Sequence, residues 1–336
     1  MRAPSPGRSL AGILRAIGLA TLALLSISTF PVISFAQEAP RNFLFLGGDD
    51  PEDHAALLQR EDIEGAQVVY NWRGLEPSEG EYDFAAIERD LATLEAFDRE
   101  LFVQLQDRFF LPQARWLPDY LLEEEIYAGG LARQADTAGE GPDGSGWVAM
   151  QWQPALRARF QALLDALAER FDGRIAGINL PETSTDLDLD NPPPGFSCDS
   201  YFAATMENLA HARQAFAASP VVQYVNFWPC EWDNDHDYMG RIFAMAEERQ
   251  IGLGGPDIVP HRRAQEKNSY PFFNAYRERL PLVAMAVQQP TLTYIDPQTG
   301  EPFTRAAITA YAQDHLGVDV IFWTIEAPWL QENGSQ

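Results

Sequence analysis

The feature that most constrains this chain is a regular alternation of short apolar segments with amphipathic ones. The apolar segments have the length and composition of strands buried on both faces, and the segments between them carry apolar residues at helical spacing. Eight predicted strands alternate with seven predicted helices. The strands are at residues 42–48, 66–71, 101–105, within 174–183, 221–227, 251–254, 282–287 and 318–323, and the helices are at 54–60, 84–97, 154–171, 201–216, 236–249, 272–279 and 304–315.

This alternation predicts a single (β/α)8 barrel, because right-handed crossovers between parallel strands leave few other topologies. A doubly wound open sheet is the alternative. That fold would place a glycine-rich phosphate loop after an early strand, and Gly47-Gly48-Asp49 lacks the G-x-G-x-x-G pattern. The sequence ends soon after the eighth strand, so we expect no regular final helix. Another segment would then cover the closing gap, or the gap would stay open.

Residues 1–36 have the pattern of a secretory signal peptide. Arg2, Arg8 and Arg15 accompany an apolar stretch from residue 17 to residue 35, and Ser34-Phe35-Ala36 offers a small-x-small cleavage site. A retained membrane anchor is the alternative, since the apolar stretch is nearly long enough to span a bilayer. We therefore expect a barrel domain over residues 37–336 in the periplasm or outside the cell, without stable membrane insertion after cleavage.

The charge of the chain excludes several classes of partner. The formal net charge is −25, and loss of a signal segment with three arginines and no acid makes it −28. Such a surface repels nucleic acid and anionic membranes, and it disfavours strongly anionic substrates. Lys267 is the only lysine, so amine-nucleophile chemistry would depend on that one residue. The oligomeric state is left open.

The cysteines predict a disulfide, and no metal site or other cofactor is expected. Cys198 and Cys230 are the only cysteines, and both lie in the part predicted to be exported, where thiols become oxidised. The five histidines are scattered, with no pair at ligand spacing on one helix. Asp49, Asp107 and Asp257 could bind Ca²⁺, but no loop has the required spacing of oxygen ligands.

In a barrel, the residues that follow the strands share one mouth, where catalytic groups collect. Glu182 follows the fourth strand and is the leading catalytic candidate, although a strand-end glutamate can also be a cap or an ion-pair partner. The remaining mouth residues are mainly acids, amides and tryptophans, which suit sugar hydroxyls and sugar ring faces, unless the tryptophans only pack. The predicted substrate-binding residues are Asp49, Trp72, Arg73, Asp107, Asn179, Asn226, Trp228, Asp257, Gln288 and Trp323.

The segment 70–84, YNWRGLEPSEGEYDF, contains a recognisable motif. It resembles the W-x-x-L-E-P-x-x-G-x-Y-D-F segment that follows strand two in many barrel glycoside hydrolases of the large retaining clan, such as the family 42 β-galactosidase, family 39 and family 10 xylanase groups. In physical terms Pro77 and Gly80 form a turn, Tyr82 and Phe84 hold the next helix, and Asp83 can cap it. The resemblance implies an oligo- or polysaccharide substrate.

The same resemblance implies that Glu182 is the general acid/base, because the clan has a glutamate at the end of strand four. In the clan an asparagine directly precedes that glutamate, whereas here Pro181 does and Asn179 lies three residues earlier. The clan's nucleophile is a glutamate ending strand seven. Here Gln288 and Gln289 occupy that place, and an amide cannot form the glycosyl ester.

The second carboxylate is therefore open. Glu326 is our preferred candidate, since strands four and eight lie across the barrel and a pair spaced about 6.5 to 9.5 Å apart would admit a water and invert the configuration. The other candidates are Asp107, Asp257 and Glu231. The predicted function is an exported glycoside hydrolase using Glu182 and Glu326; the alternative is a barrel that binds carbohydrate without cleaving it. A third hypothesis is a lyase or deacetylase acting on an uncommon glycan, with Asp257 and His261 as its candidate residues. A different strand register would change which carboxylates meet, and would bring Glu231 or Glu326 nearer to Glu182.

Overall fold

The computed structural model describes residues 39–135 and 146–331, and eight of its strands form a closed parallel barrel. In chain order the strands are β1 (Arg41–Phe45), β2 (Gly65–Asn71), β3 (Glu100–Gln106), β4 (Arg108–Phe109), β5 (Leu131–Gln134), β6 (Gly146–Ala149), β7 (Gly177–Leu180), β8 (Val221–Tyr224), β9 (Gly252–Gly255), β10 (Val283–Val287) and β11 (Val320–Thr324). The barrel order is β1-β2-β3-β7-β8-β9-β10-β11, and β11 pairs with β1 to close it. The predicted (β/α)8 barrel is confirmed.

Aromatic rings fill the lower part of the barrel interior. Phe43, Phe102 and Phe322 meet edge to face, with ring centroids 5.1 to 6.5 Å apart. Gly177 leaves room for one of these rings, because a Cβ at that position would lie 2.4 Å from a ring carbon of Phe102. The interior is thus a packed core, and any reactive groups must lie above it at the carboxyl ends of the strands.

The helices cover the outside of the barrel. They are α1 (Ala55–Leu58), α2 (Trp72–Leu75), α3 (Ala85–Ala96), α4 (Asp119–Glu123), α5 (Pro154–Phe171), α6 (Cys198–Ala215), α7 (Tyr238–Arg249), α8 (Arg263–Lys267), α9 (Tyr270–Tyr276), α10 (Arg305–Tyr311) and α11 (Pro328–Gln331). The predicted limits of α5 agree with the structure. Helix α6 begins earlier than predicted, since Ser197 and Ser200 exchange hydrogen bonds in a capping box.

A small antiparallel sheet, in the order β4-β6-β5, is inserted after β3. Its aromatic residues pack: Phe109 contacts Trp116 with ring centroids 5.2 Å apart, and the Arg115 guanidinium lies 3.6 Å from the Trp147 ring centroid. The end of β5 reaches the loop after β7, where the Ala135 amide donates to the Asp186 carbonyl at 2.7 Å. This insertion therefore forms one wall of the mouth beside the loop that carries Glu182.

Only the short helix α11 follows β11 in the described part of the chain. Its Trp329 packs edge to face on Trp323, and the guanidinium groups of Arg305 and Arg60 lie 3.6 and 5.4 Å from the Trp329 ring. Arg60 follows α1 and Arg305 begins α10, so this segment contacts elements on both sides of the closing seam between β1 and β11.

Residues 1–36, predicted to be a signal peptide, lie outside the described residues. Across residues 39–135 and 146–331, no helix combines the length and the apolar character needed to cross a bilayer.

Candidate active site at the barrel mouth

Glu182 lies two residues beyond β7 and is half-buried. The loop around it is fastened to the next strand: the Thr183 amide donates to the Tyr224 carbonyl at 3.1 Å, and the Asn226 amide donates to Thr183 Oγ1 at 3.1 Å. Because both bonds join the ends of β7 and β8, the Glu182 side chain is held at the barrel mouth.

The neighbours of Glu182 act on its pKa in both directions, and the net effect is a rise. Burial raises the pKa of the Glu182 carboxyl, and the negative charges of Asp186 and Asp257 add to that rise. The positive charge of Arg108 and a hydrogen bond of 3.2 Å from Asn226 Nδ2 to Glu182 Oε2 act in the opposite direction. A carboxyl group with a raised pKa at a barrel mouth has the property that a general acid requires.

Arg108 holds the Glu182 loop from below. Its guanidinium is buried, and it donates to the Ser184 carbonyl and, at 3.3 Å, to the Tyr201 hydroxyl. Tyr201 in turn donates to the Thr183 carbonyl at 3.1 Å. The backbone on the carboxyl side of Glu182 is thus fixed by two buried side chains. One of them, Arg108, carries the positive charge that lowers the pKa of Glu182.

Asp107 is the ion-pair partner of Arg108. Its Oδ1 lies 3.5 Å from Arg108 Nε, and Gln151 Nε2 donates to its Oδ2. Both side chains of the pair are about 97% buried. Burial raises the pKa of Asp107 and Arg108 lowers it. Asp107, predicted to bind substrate, is therefore placed behind the mouth, where it neutralises Arg108.

The predicted amide residues occupy two levels of the barrel. Asn179 is buried inside it, and its Oδ1 accepts from Gln67 Nε2 at 2.8 Å, which also donates to the Tyr224 hydroxyl at 2.9 Å. Asn226 and Gln288 lie higher and are half-buried. Gln288 Nε2 donates to the Pro256 carbonyl at 3.1 Å. Asn226 and Gln288 are thus the two predicted amides that reach the open mouth.

The three predicted tryptophans lie in the core, each no more than 3% exposed. Trp72 donates to Glu76 Oε2 at 2.8 Å and packs on Phe160, while Trp323 donates to Asn42 Oδ1 at 2.8 Å. Trp228 packs among Tyr201, Phe202 and Tyr238. Their ring faces are covered by other side chains, so in this structure they contribute packing to the walls of the mouth.

The motif at 70–84 forms a buried anchor around Glu76. Glu76 is fully buried; besides Trp72 it accepts from the Gly80 amide at 2.9 Å and from the Arg159 guanidinium. Gly80 has a φ of +71°, which favours glycine at this turn. Asp83 Oδ1 accepts from the Ala85 amide at 2.9 Å, at the start of α3. Through Glu76 these contacts join α2 to α5, and all of the partners of Glu76 lie outside the mouth.

Two further predicted residues form polar contacts near the rim. Asp49 is exposed in the turn after β1, where its Oδ2 lies 3.3 Å from His54 Nε2. Arg73 is exposed at the start of α2; it pairs with Asp119 and donates to the Arg115 carbonyl at 2.8 Å. Their side chains join neighbouring segments of the rim.

The candidate second carboxylates differ sharply in their surroundings. Glu231 is buried and caps α7, with its two carboxylate oxygens accepting from the amides of Tyr238 at 2.6 Å and Met239 at 3.0 Å. Glu326 is exposed and accepts from Thr324 Oγ1 at 3.1 Å. Asp257 is half-buried directly after β9, and burial raises its pKa while Arg262 lowers it. His261 is exposed, with a φ of +61°.

The predicted disulfide is present. Cys198 and Cys230 are bonded, with Cα atoms 6.1 Å apart. Cys198 begins α6 and Cys230 follows β8, so the bond ties two neighbouring loops of the mouth, one of which carries Asn226. In the parts of the chain that the structure describes, no group of three or more His, Cys, Asp or Glu side chains is arranged to hold a metal ion.

Sequence comparison adds nothing to this description: no protein-family model matches the chain, and no curated protein matches it. Solved structures do. The catalytic domain of a β-amylase from Paenibacillus polymyxa aligns with a TM-score of 0.56 and 8% identity, covering 85% of this chain and 92% of that one. This chain has the same barrel fold as that domain. At 8% identity the likeness shows shared architecture.

Two more solved barrels align at similar levels. A β-galactosidase from the psychrophilic Marinomonas ef1 gives a TM-score of 0.53 at 13% identity, over 84% of this chain and 53% of that one. Xylanase 10B from Thermotoga petrophila, solved with xylobiose, gives 0.50 at 10% identity, over 84% and 81%. All three of these proteins are glycoside hydrolases, and all three share the closed parallel barrel with this chain.

Two residues near Glu182 were not assigned a role from sequence. Thr183 anchors the loop, and Asp186 adds negative charge beside the acid. The sequence feature that could have identified Thr183 and Asp186 is their position in the same loop as Glu182, within four residues of it. Arg108 lies at the start of the insertion after β3, so its effect on the pKa of Glu182 depends on how that insertion folds.

Proposed function

We propose that this protein is an exported glycoside hydrolase that cleaves glycosidic bonds in an oligo- or polysaccharide, with Glu182 as general acid/base and a second mouth carboxylate as its partner. The observation that carries the proposal is the state of Glu182: a half-buried carboxyl at the carboxyl end of a barrel strand, with a pKa raised by burial and by nearby negative charge. The three solved barrels of similar fold, all glycoside hydrolases, support the reaction class.

In the proposed reaction, Glu182 donates its proton to the glycosidic oxygen as the bond between that oxygen and the anomeric carbon breaks. A water oxygen finally bonds to the anomeric carbon. In the inverting route the second carboxylate receives the proton that this water loses, and in the retaining route it first bonds to the anomeric carbon and is then displaced by the water. Asn226 holds the Glu182 carboxylate that remains, since its amide donates to Oε2. The disulfide and the acidic composition are consistent with export of a protein acting on a neutral polymer.

Gln288 favours a second candidate function, a barrel that binds carbohydrate without cleaving it. Gln288 ends β10, where the resemblance places the nucleophile, and its amide is engaged with the Pro256 carbonyl. Amides bind sugar hydroxyls but carry no charge to stabilise an oxocarbenium-like transition state.

Release of reducing ends from a panel of neutral α- and β-linked polysaccharides tests the proposal. The wild type, Glu182→Gln and Glu169→Gln are compared, the last being the same change on the exposed side of α5. We expect activity in the wild type and in Glu169→Gln, and a loss of about 10²- to 10⁴-fold in Glu182→Gln. Binding of a polysaccharide by all three proteins with no reducing ends released would favour the binding function. Equal activity in all three would reject the role of Glu182.

A further inference from the structure

We propose that Asp257 is the second catalytic carboxylate of this site and acts as a general base on the attacking water. This assignment rests on the proposed glycosidase activity and differs from the sequence-based preference for Glu326. Asp257 is the second residue after β9, at the same end of the barrel as Glu182, and its side chain is half-buried at the mouth.

The other candidate carboxylates have surroundings that suit other roles. Asp107 is buried in an ion pair with Arg108, and Glu231 uses both of its oxygens to cap α7. Glu326 is exposed on the turn after β11 and is bound by Thr324, two residues away. Among the residues that the structure describes, no side-chain donor lies within hydrogen-bonding distance of the Asp257 carboxylate. Asp257 therefore has acceptor capacity for a water.

The backbone of Asp257 is fixed on both sides. The buried Tyr270 hydroxyl donates to the Asp257 carbonyl at 3.0 Å and accepts from the Val259 amide at 2.8 Å. The Ile258 amide donates to the Ala286 carbonyl of β10 at 2.7 Å. A side chain mounted on such a segment is held in place without needing partners of its own, as a reactive group requires.

Gln288 takes part in this arrangement. It stands at the end of β10, yet its side-chain amide donates to the carbonyl of Pro256, the residue directly before Asp257. The glutamine at strand seven thus braces the neighbouring strand end that carries a carboxylate. The structure in this way explains how a barrel can lack an acid at strand seven and still present two carboxylates: the second lies one strand away, on β9.

The charge of Asp257 acts on Glu182 and on a neighbour that the two carboxyl groups share. The charge of Asp257 raises the pKa of Glu182, and both charges raise the pKa of the Tyr224 hydroxyl inside the barrel. Coupling of this kind between two carboxyl groups favours one protonated and one ionised member. Burial raises the pKa of Asp257, and the positive charge of Arg262 lowers it. Glu182 would keep the proton for the leaving group, and Asp257, which has a cation as its neighbour, would be the ionised partner.

The base role follows from side-chain length and from proton balance. The side chain of aspartate is one carbon shorter than that of the glutamate that serves as nucleophile in retaining enzymes, so an aspartate leaves more room for a water at the anomeric carbon. One water proton passes to Asp257 as the water oxygen bonds to the anomeric carbon. The glycosidic bond breaks, and its electrons and the Glu182 proton go to the leaving oxygen. The product then has the inverted anomeric configuration.

Turnover by Asp257→Asn, compared with Asp319→Asn, tests the assignment on the substrate found with wild type. Asp319 is the control, because it is also an aspartate next to a barrel strand but it precedes β11, at the opposite end of the barrel. We expect a loss of about 10²- to 10⁴-fold for Asp257→Asn and wild-type turnover for Asp319→Asn. Proton NMR of the first product should show inversion. A retained configuration, or loss in Glu326→Gln with normal turnover in Asp257→Asn, would overturn the proposal.

Two measurements distinguish failure of the Asp257 assignment from failure of the proposed glycosidase function and from misfolding of the variant. If wild type cleaves no glycan, the proposed function fails first; if wild type cleaves but Asp257→Asn does so equally, only the assignment of Asp257 fails. Rescue by azide distinguishes the loss of a general base from the loss of the fold. With an activated aryl glycoside, azide should restore turnover to Asp257→Ala and yield the glycosyl azide, whereas absence of rescue in a variant with wild-type circular dichroism would count against Asp257.

Discussion

Asn226 Nδ2 donates a hydrogen bond of 3.2 Å to Glu182 Oε2, and this bond joins the ends of β8 and β7 across the barrel mouth. A donor to a carboxylate stabilises the ionised form, so Asn226 lowers the pKa of Glu182 against the effects of burial, Asp186 and Asp257. Arg108 acts in the same direction as Asn226. The acidity of Glu182 is thus set by two opposing groups of neighbours.

Asn226→Ala should move the alkaline limb of the activity profile to higher pH. A general acid is inactive once ionised, and removal of the Asn226 donor raises the pKa of Glu182, so the protonated form persists to higher pH. The measurement is kcat against pH, with Gln298→Ala, an exposed side chain, as control. An alkaline limb that stays in place or moves to lower pH would contradict the role assigned to Asn226.

Arg108→Met should destabilise the protein by about 3–5 kcal/mol, because it leaves the buried Asp107 carboxylate without its cation. Urea unfolding measures the loss. Arg279→Met is the control: Arg279 pairs with Glu247 at the surface, where water screens the pair and its loss has little effect on stability. If the free energy of unfolding fell equally in both variants, the buried pair of Asp107 and Arg108 would contribute no more to stability than a surface pair, which would contradict this prediction.

Glu231→Ala should lower the free energy of unfolding by about 1–2 kcal/mol and spare activity well below the melting temperature. The loss follows because Glu231 caps the first amides of α7 and opposes the positive end of the helix dipole. Glu231→Gln retains one acceptor oxygen and should lose less. Thermal unfolding and turnover are measured together. A folded Glu231→Gln protein as inactive as Glu182→Gln would assign Glu231 to catalysis.

Glu88 should contribute to stability in mild acid. Hydrogen bonds from Arg174, and then from Arg170, lower the pKa of the Glu88 carboxyl to about 2. Because the folded state favours the ionised form, this contribution is present above the ordinary pKa of 4.5 and disappears as the pH falls toward 2. Glu88→Gln should therefore show a shallower loss of stability over that range. Urea midpoints at several pH values test this, and a slope equal to that of wild type would contradict it.

The sequence allowed the barrel and the place of Glu182 to be predicted because each strand is an apolar run that a parallel sheet buries on both faces. Glu182 then falls at the end of the fourth barrel strand by count, as the strand register confirms. The resemblance of the 70–84 motif implied the same position for the acid. In the structure the motif has an architectural role, because its buried Glu76 joins α2 to α5.

The contacts around the site could not be predicted in the same way. A tryptophan after a strand has the same sequence pattern whether its ring faces the cleft or the core, and Trp72 and Trp323 are in the core. The cap formed by Glu231 depends on the loop from residue 231 to residue 238, which turns through residues with positive φ at 233, 234 and 237. Likewise, Asp257 and Glu326 follow their strands at similar distances, and only their surroundings in the structure distinguish them: Tyr270 and Gln288 hold the segment of Asp257, whereas Glu326 is exposed.

We propose above all that Glu182 gives its proton to the departing sugar oxygen. The most direct test compares kcat/KM of wild type and Glu182→Gln on an oligosaccharide and on the matching 2,4-dinitrophenyl glycoside, whose leaving group needs no proton. We predict a loss of about 10²- to 10⁴-fold on the oligosaccharide and of at most about tenfold on the aryl glycoside. An equal loss on both substrates, or full activity on the oligosaccharide, would contradict the claim.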